Sequence, residues 1–309
     1  MIFYRTKYVS NNWLRIFCML LVAFLPMVST VQATIIVDDS WADGGRTNGV
    51  DAQDTDWWAS TTASAIEVAV GSLGLVSGSS GRGIHGTFAA QSLNVGDSLK
   101  TTSTFTTPAT VRPGSAAFRF GLFDTTGKPG LAADISASSG TPNAIYNNLP
   151  GYMMDLDVNL ATNDENISMR ERSNPASGQL MATTADYTSL TAGGNTYKFL
   201  ANTSYTVILS VKRTGLDTLD ITGSLSQGNT ELSSYTATDA SGIASTFGML
   251  AFHVTSNVFG SVNTVNTPNN GIDFTNIKIE YCAIPEPASL ILLGCAGAFA
   301  FASRRLRRN

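Results

Sequence analysis

Histidine and cysteine are scarce, and their scarcity excludes much chemistry. His85 and His253 are the only histidines, and no CxxC or His-rich pattern exists. Most zinc chemistry, which draws on clustered Cys and His ligands, is thereby excluded. Of the three cysteines, Cys18 and Cys295 fall in apolar runs near the two ends, leaving Cys282 alone between them. The central region therefore forgoes internal disulfides. No G-x-S-x-G motif occurs, and two histidines leave little choice of base for a nucleophilic hydroxyl. Helical periodicity is missing outside the termini, as are linkers and internal repeats.

What is present begins with two tagged ends. Arg5, Lys7 and Arg15 precede an apolar run, Ile16 to Val28, broken by Pro26 and followed by Val31-Gln32-Ala33. A basic flank, a short apolar core and a small-residue exit predict a secretory signal peptide over 1–33. About 13 apolar residues are too few for a comfortable span of roughly 20. At the other end, Pro285-Glu286-Pro287 leads into an apolar segment, 288–303. A basic tail over 304–308 follows, with Arg304, Arg305, Arg307 and Arg308. Arginines after an apolar run predict that the tail stays cytoplasmic and that everything upstream faces outward. The proline–glutamate–proline motif, short apolar helix and arginine cluster resemble the PEP-CTERM sorting tag of Gram-negative bacteria. That resemblance covers 282–309. It implies an exosortase partner, passage through the inner membrane, and delivery to the cell surface or an exopolysaccharide matrix.

Between the tags, Thr34 to Pro285 carries 12 Lys and Arg against 22 Asp and Glu, a net charge of −10. Such a domain is a poor partner for nucleic acid or an anionic membrane surface. Two-residue alternation recurs between turn clusters, which predicts an all-β domain of two packed antiparallel sheets over 34–281. Phe118, Phe120 and Leu122 share one face of their segment; Tyr205, Val207, Leu209 and Val211 share another. Leu250, Phe252 and Val254 point one way, with Met249, Ala251 and His253 opposite. A phase change between Phe274 and Ile277 predicts a bulge near Thr275 and Asn276.

The order of these pieces resembles the concanavalin-like, laminin G-like jelly rolls of secreted bacterial proteins. The resemblance rests on Asp39 to Asn48 (DSWADGGRTN), on Trp57-Trp58, on Phe120 to Asp124 (FGLFD) and on Gly271 to Ile277 (GIDFTNI). It implies a jelly-roll sandwich from a family of glycan-binding modules, glycoside hydrolases, polysaccharide lyases and structural modules. The family's hydrolases carry an E-x-D-x-x-E strand. Here Asp155-Leu156-Asp157 has aspartate for the first glutamate, and Asn159 and Leu160 follow, so the third acid is missing.

Candidate binding residues concentrate in Gly151 to Arg172. Alternation sets Met154, Leu156 and Val158 on one face and Asp155 and Asp157 on the other. Ile167 and Met169 oppose Arg170 and Arg172 in the same way. Paired as a hairpin, these strands set two carboxylates against two guanidinium groups. Arg119, Lys212 and His253 share the polar phase on other strands. The surface is either a groove for sugar hydroxyls and uronate carboxylates or a solvated salt ladder. Trp41, Trp57 and Trp58 are candidates to stack on sugar rings; adjacent Trp57 and Trp58 point to opposite sides, so one belongs to the core. Acidic residues near both ends of the domain, Asp39 and Asp273 above all, are candidate calcium ligands. The expected function is a non-catalytic module binding or organising extracellular polysaccharide. The alternatives are a glycan-cleaving enzyme of the same fold and a structural matrix or adhesion protein.

Overall fold

The computed structural model describes residues 33–47, 53–61, 66–76, 81–111, 114–137, 142–159, 167–173, 176, 178–242, 244–256, 258–260 and 271–284. Residues 1–32 and 285–309, which include the 285–287 motif and both apolar runs, lie outside the described residues. Among the described residues, no helix is long and apolar enough to cross a membrane.

The strands form two antiparallel sheets. The first runs β13 (Thr230–Asp239), β12 (Leu219–Gln227), β11 (Ser204–Arg213), β6 (Ser98–Thr106), β15 (Gly271–Cys282), β4 (Ser72–Val76), β3 (Ile66–Ala69). β1 (Ala33–Asp39) shares the β15 edge with β4, pairing further along the same strand. The second sheet runs β10 (Thr188–Gly193), β9 (Ile167–Glu171), β8 (Gly151–Asn159), β7 (Gly114–Phe123), β14 (Thr246–Val254), β5 (Arg82–Ser92), β2 (Trp57–Ala59). The pairing of Tyr152 with Glu171 through Leu156 with Ile167 is the expected hairpin. The expected bulge in β15 is also present, as a register shift between Phe274 and Asn276.

Alternation explains the core, because every second residue of a strand faces the opposing sheet. Phe118, Phe120 and Leu122 of β7, Leu250, Phe252 and Val254 of β14, and Tyr205, Val207, Leu209 and Val211 of β11 are buried between the sheets. Phenylalanines join the layers: Phe105 lies 5.2 Å from Phe118 edge-on, and Phe252 lies 4.6 Å from Phe274. Offset and edge-on contacts of this kind are the favoured arrangements of aromatic quadrupoles.

A second apolar cluster lies on the outer face of the second sheet. Phe123, Met153, Met249 and Ala251 point away from the sandwich interior, yet each is fully buried. Leu131, Ile135, Tyr146 and Leu149 from the segment after β7, with Leu180, Met181 and Tyr187 from the segment after β9, cover them. This sheet is thus packed on both faces over part of its width. Such burial accounts for the near-continuous apolar run Phe247 to Val254, since a strand covered on both sides needs no polar phase.

Candidate functional site

Next to that covered patch, the outer face of the second sheet carries a polar row set by strand register. Gly83 of β5 pairs with His253 of β14, His253 with Arg119 of β7, Arg119 with Asp155 of β8, and Asp155 with Ser168 of β9. Arg170 lies one row over, level with Met153. The topology thereby gathers four of the expected residues, His253, Arg119, Asp155 and Arg170, from four different strands.

Their geometry is uneven. Arg119 Nε donates to Asp155 Oδ2 at 3.3 Å, and its Nη1 donates to the Met181 carbonyl at 2.7 Å. Arg170 Nε stands 3.7 Å from the same Oδ2, within ion-pair range, but makes no hydrogen bond. Two guanidinium groups therefore lean on one carboxylate oxygen. His253 is 4% exposed, and neither of its ring nitrogens has a hydrogen-bond partner. Burial, reinforced by the Arg119 charge, pushes its pKa down to about 3, so the ring is neutral in ordinary conditions. A neutral imidazole offers one donor and one acceptor. The ring lies against a strand stretch without side chains. A Cβ on Gly83 would sit 2.4 Å from Ser60 Oγ and 3.3 Å from His253 Cδ2.

Arg172 corrects the sequence-based expectation. It follows the last residue of β9 and keeps the outward phase, but there it meets the covering segments instead of solvent. Its backbone N–H donates to the Gly151 carbonyl, and its side chain is fully buried. Nη1 donates to the carbonyls of Tyr146 (2.7 Å) and Leu149 (3.0 Å); Nη2 donates to the Gln179 carbonyl (2.9 Å) and to Asp186 Oδ2 (3.1 Å). Arg172 ties the two covering segments to the sheet and is closed to a ligand. Asp157 sits in the next row, opposite Ala117, and is half-buried. Lys212 is exposed on β11, in the other sheet, and does not join the row.

The tryptophans divide as adjacency requires. Trp57 is fully buried, stacked in the core 6.1 Å from Trp41 and 5.8 Å from Phe252, with Nε1 donating to Asp39 Oδ2 at 2.7 Å. A ring so enclosed has no face for a sugar, which removes Trp57 from the candidates, and Trp41 with it at 1% exposure. Trp58 is half-buried on the outer face, with the Arg46 guanidinium 5.6 Å from its ring centre. Arg46 in turn holds Asp134 through two bonds of 2.7 and 2.8 Å. That pairing, more than the Ala59 N–H, keeps the Asp134 carboxyl below its usual range. Beside it, His85 Nε2 lies 2.8 Å from the Leu131 carbonyl. A carbonyl only accepts, so Nε2 carries the proton. Burial outweighs this bond and pushes the His85 pKa down to about 4.

The expected calcium pair does not assemble. Asp39 is buried on the inner face, where its carboxylate accepts from Trp41 N (3.0 Å) and Trp57 Nε1. Asp273 is at the opposite face of β15, between buried Ile272 and Phe274, with desolvation and then Glu67 raising its pKa. Two carboxylates on opposite faces of a sheet cannot share an ion that needs six to eight oxygens around it. Among the described residues, no group of three or more His, Cys, Asp or Glu is placed to hold a metal.

Sequence periodicity missed Arg46, Asp134, Met181, Asp186 and Tyr187, because all five lie in irregular segments with no strand phase to read. The visible signal was apolar: Met249, Ala251, Phe123 and Met153 on a face expected to meet water.

No protein-family model matches the sequence, and no curated protein matches it. Among solved structures, the chain is similar to peanut lectin in a peptide complex, at 9% identity and a TM-score of 0.43, over 82% of this chain and all of that one. It is also similar to the exoplasmic/lumenal domain of VIP36 in a Ca2+/Man3GlcNAc-bound form, at 11% identity and a TM-score of 0.44, over 76% of this chain and 86% of that one. A protein of unknown function from Shewanella oneidensis MR-1 aligns over 91% of this chain and all of its own, at 13% identity and a TM-score of 0.43.

Proposed function

We propose that this chain is an exported, surface-directed β-sandwich protein that binds extracellular polysaccharide, without cleaving it, on the outer face of its second sheet. The observation that carries the reading is the row of His253, Arg119, Asp155 and Arg170. It sets a buried neutral imidazole whose ring nitrogens have no hydrogen-bond partner at one end, and at the other, three strands away, the partly exposed guanidinium of Arg170, whose buried Nε has none either. Unsatisfied buried polar groups are uncommon and call for a partner. Sugar hydroxyls, each both donor and acceptor, match such a set. Trp58, half-buried on the same face, offers part of an aromatic ring beside it. The sequence resemblance to concanavalin-like modules points the same way. A non-catalytic role is favoured because His253, with a pKa near 3, is a weak proton acceptor. The carboxylate of Asp155 is engaged by two arginines rather than poised over open space. Export and surface delivery, with an exosortase as processing partner, rest on the signal-peptide and PEP-CTERM patterns at the two ends.

The test is affinity electrophoresis of the full chain through gels containing a panel of polysaccharides, for the wild type and His253→Ala. Retardation by at least one polymer, lost in a variant that still melts cooperatively, is the expected result. Equal migration in every gel would remove glycan binding and leave a structural matrix role.

A further inference from the structure

We propose that the ligand of this site carries carboxylates: an acidic polysaccharide rich in uronate residues, read by Arg170. The inference rests on the glycan-binding reading and adds the chemical class.

The ion pairs around the row are unevenly shared. Three guanidinium groups, Arg119, Arg170 and Arg172, meet two carboxylates, Asp155 and Asp186. Arg172 and Asp186 close on each other at 3.1 Å, deep under the covering segments. Arg119 takes the nearer share of Asp155, at 3.3 Å, and spends Nη1 on the Met181 carbonyl. Arg170 is left with the 3.7 Å approach to an oxygen that Arg119 already uses. Its side chain, 25% exposed, is also the most accessible of the three.

Other titratable groups lie nearby, among them Glu171, buried next to Arg170 in sequence. His253 is uncharged. Tyr187 is fully protonated, its pKa raised by burial above all. Asp157 is two residues beyond Asp155 on the same face of β8, about 7 Å along the strand from the carboxylate that Arg170 approaches. Arg46 and Asp134, near Trp58, neutralise each other. Arg170 is thus the guanidinium of the group held least closely by a carboxylate and the one most open to solvent.

A guanidinium whose fork is not filled is suited to a carboxylate, which it can hold with two parallel bonds. A uronate bears that carboxylate on the same ring as hydroxyls, so the carboxylate can meet Arg170 while the hydroxyls meet the polar groups around it; His253, three strands away and buried, is not within reach of the same ring. The domain's net charge of −10 sharpens the inference. Long-range repulsion discourages non-specific adsorption of polyanions, so retention of an acidic polymer requires a local cationic contact.

The experiment compares polygalacturonate with the same polymer after its carboxyls are reduced to alcohols, in affinity gels run with the full chain. Wild type, Arg170→Gln and Arg170→Lys are compared. Retardation by the acidic polymer, about tenfold weaker with the reduced one, is expected from the strength of a charged hydrogen bond. Arg170→Gln should lose about the same factor on the acidic polymer alone, and Arg170→Lys should keep part of it. Equal retardation by both polymers overturns the uronate inference and leaves glycan binding standing. Retardation by neutral polysaccharides alone does the same, and retardation by none overturns both readings. The polymer comparison needs no variant, so a misfolded Arg170→Gln does not obscure the answer.

Discussion

His85 and His253 are buried neutral on the outer face of one sheet, and that alone gives the protein an acid-sensitive stability. Their pKa values are pushed down to about 4 and about 3, below the ordinary 6.5 of the unfolded chain. Between those limits the unfolded state binds more protons than the folded one. Stability is therefore fully present above about pH 6.5 and falls as pH drops toward 4 and 3. Two such groups give a slope of about 3 kcal/mol per pH unit in the middle of that window. Asp39 and Asp273, whose pKa values are raised by desolvation, act in the opposite direction and soften the fall. Urea unfolding at pH 7, 5.5 and 4.5 measures the slope, and His253→Gln should remove close to half of it. An unchanged slope in that variant would mean the imidazole is not the responsible group. At this scale the sequence is legible only where a strand phase exists. It placed Arg119, Asp155, Arg170 and His253 on one side of their strands. It could not show that Arg172, one step past the end of β9, turns beneath the covering segments.

Elements show how the outer face is partitioned. The edge strand β2 has only three residues, and the segment after β7 guards it. Ala59 N donates to Asp134 Oδ1 at 2.9 Å, and Ile135 N donates to the Ala59 carbonyl at 2.8 Å. A covered edge does not template pairing with another chain. Asp134→Ala removes the Ala59 contact and the Arg46 pair together. It should destabilise the protein by about 1–2 kcal/mol, discounted because both side chains are partly exposed. Hydrogen exchange at Ala59 and Ile135 should accelerate more than in β14. Unchanged protection at both amides would show that the segment is held elsewhere. The hairpin of β8 and β9 and the bulge in β15 were readable from alternation, since a change of phase has no other cheap explanation. The covering segments were not, because their hold on the sheet consists of carbonyls, a buried arginine and scattered apolar side chains without a period.

At the scale of the whole molecule, the working sandwich lies in one compact unit, Gln32 to Ala283. The export reading concerns the sequence on either side of it. Replacing Pro285, Glu286 and Pro287 by alanine should hold the protein in the inner-membrane fraction, whereas the wild type is expected to leave that fraction. Fractionation with immunoblotting reads this directly, and identical distributions would detach the tag from sorting. The sequence by itself determined the all-β class and the inward faces of the long strands, because a two-residue period leaves a strand no choice of which side meets the core. It also determined the charge of the domain, which is a property of composition. Only the tertiary structure decided which polar residues meet and which are sealed. Strand order set His253 beside Arg119, from more than 130 positions apart in the chain, and Arg119 beside Asp155. The same packing closed Trp57, Asp39 and Arg172 away from any ligand. Long-range register and irregular coverage are collective outcomes of packing, and neither has a local signature in the order of residues.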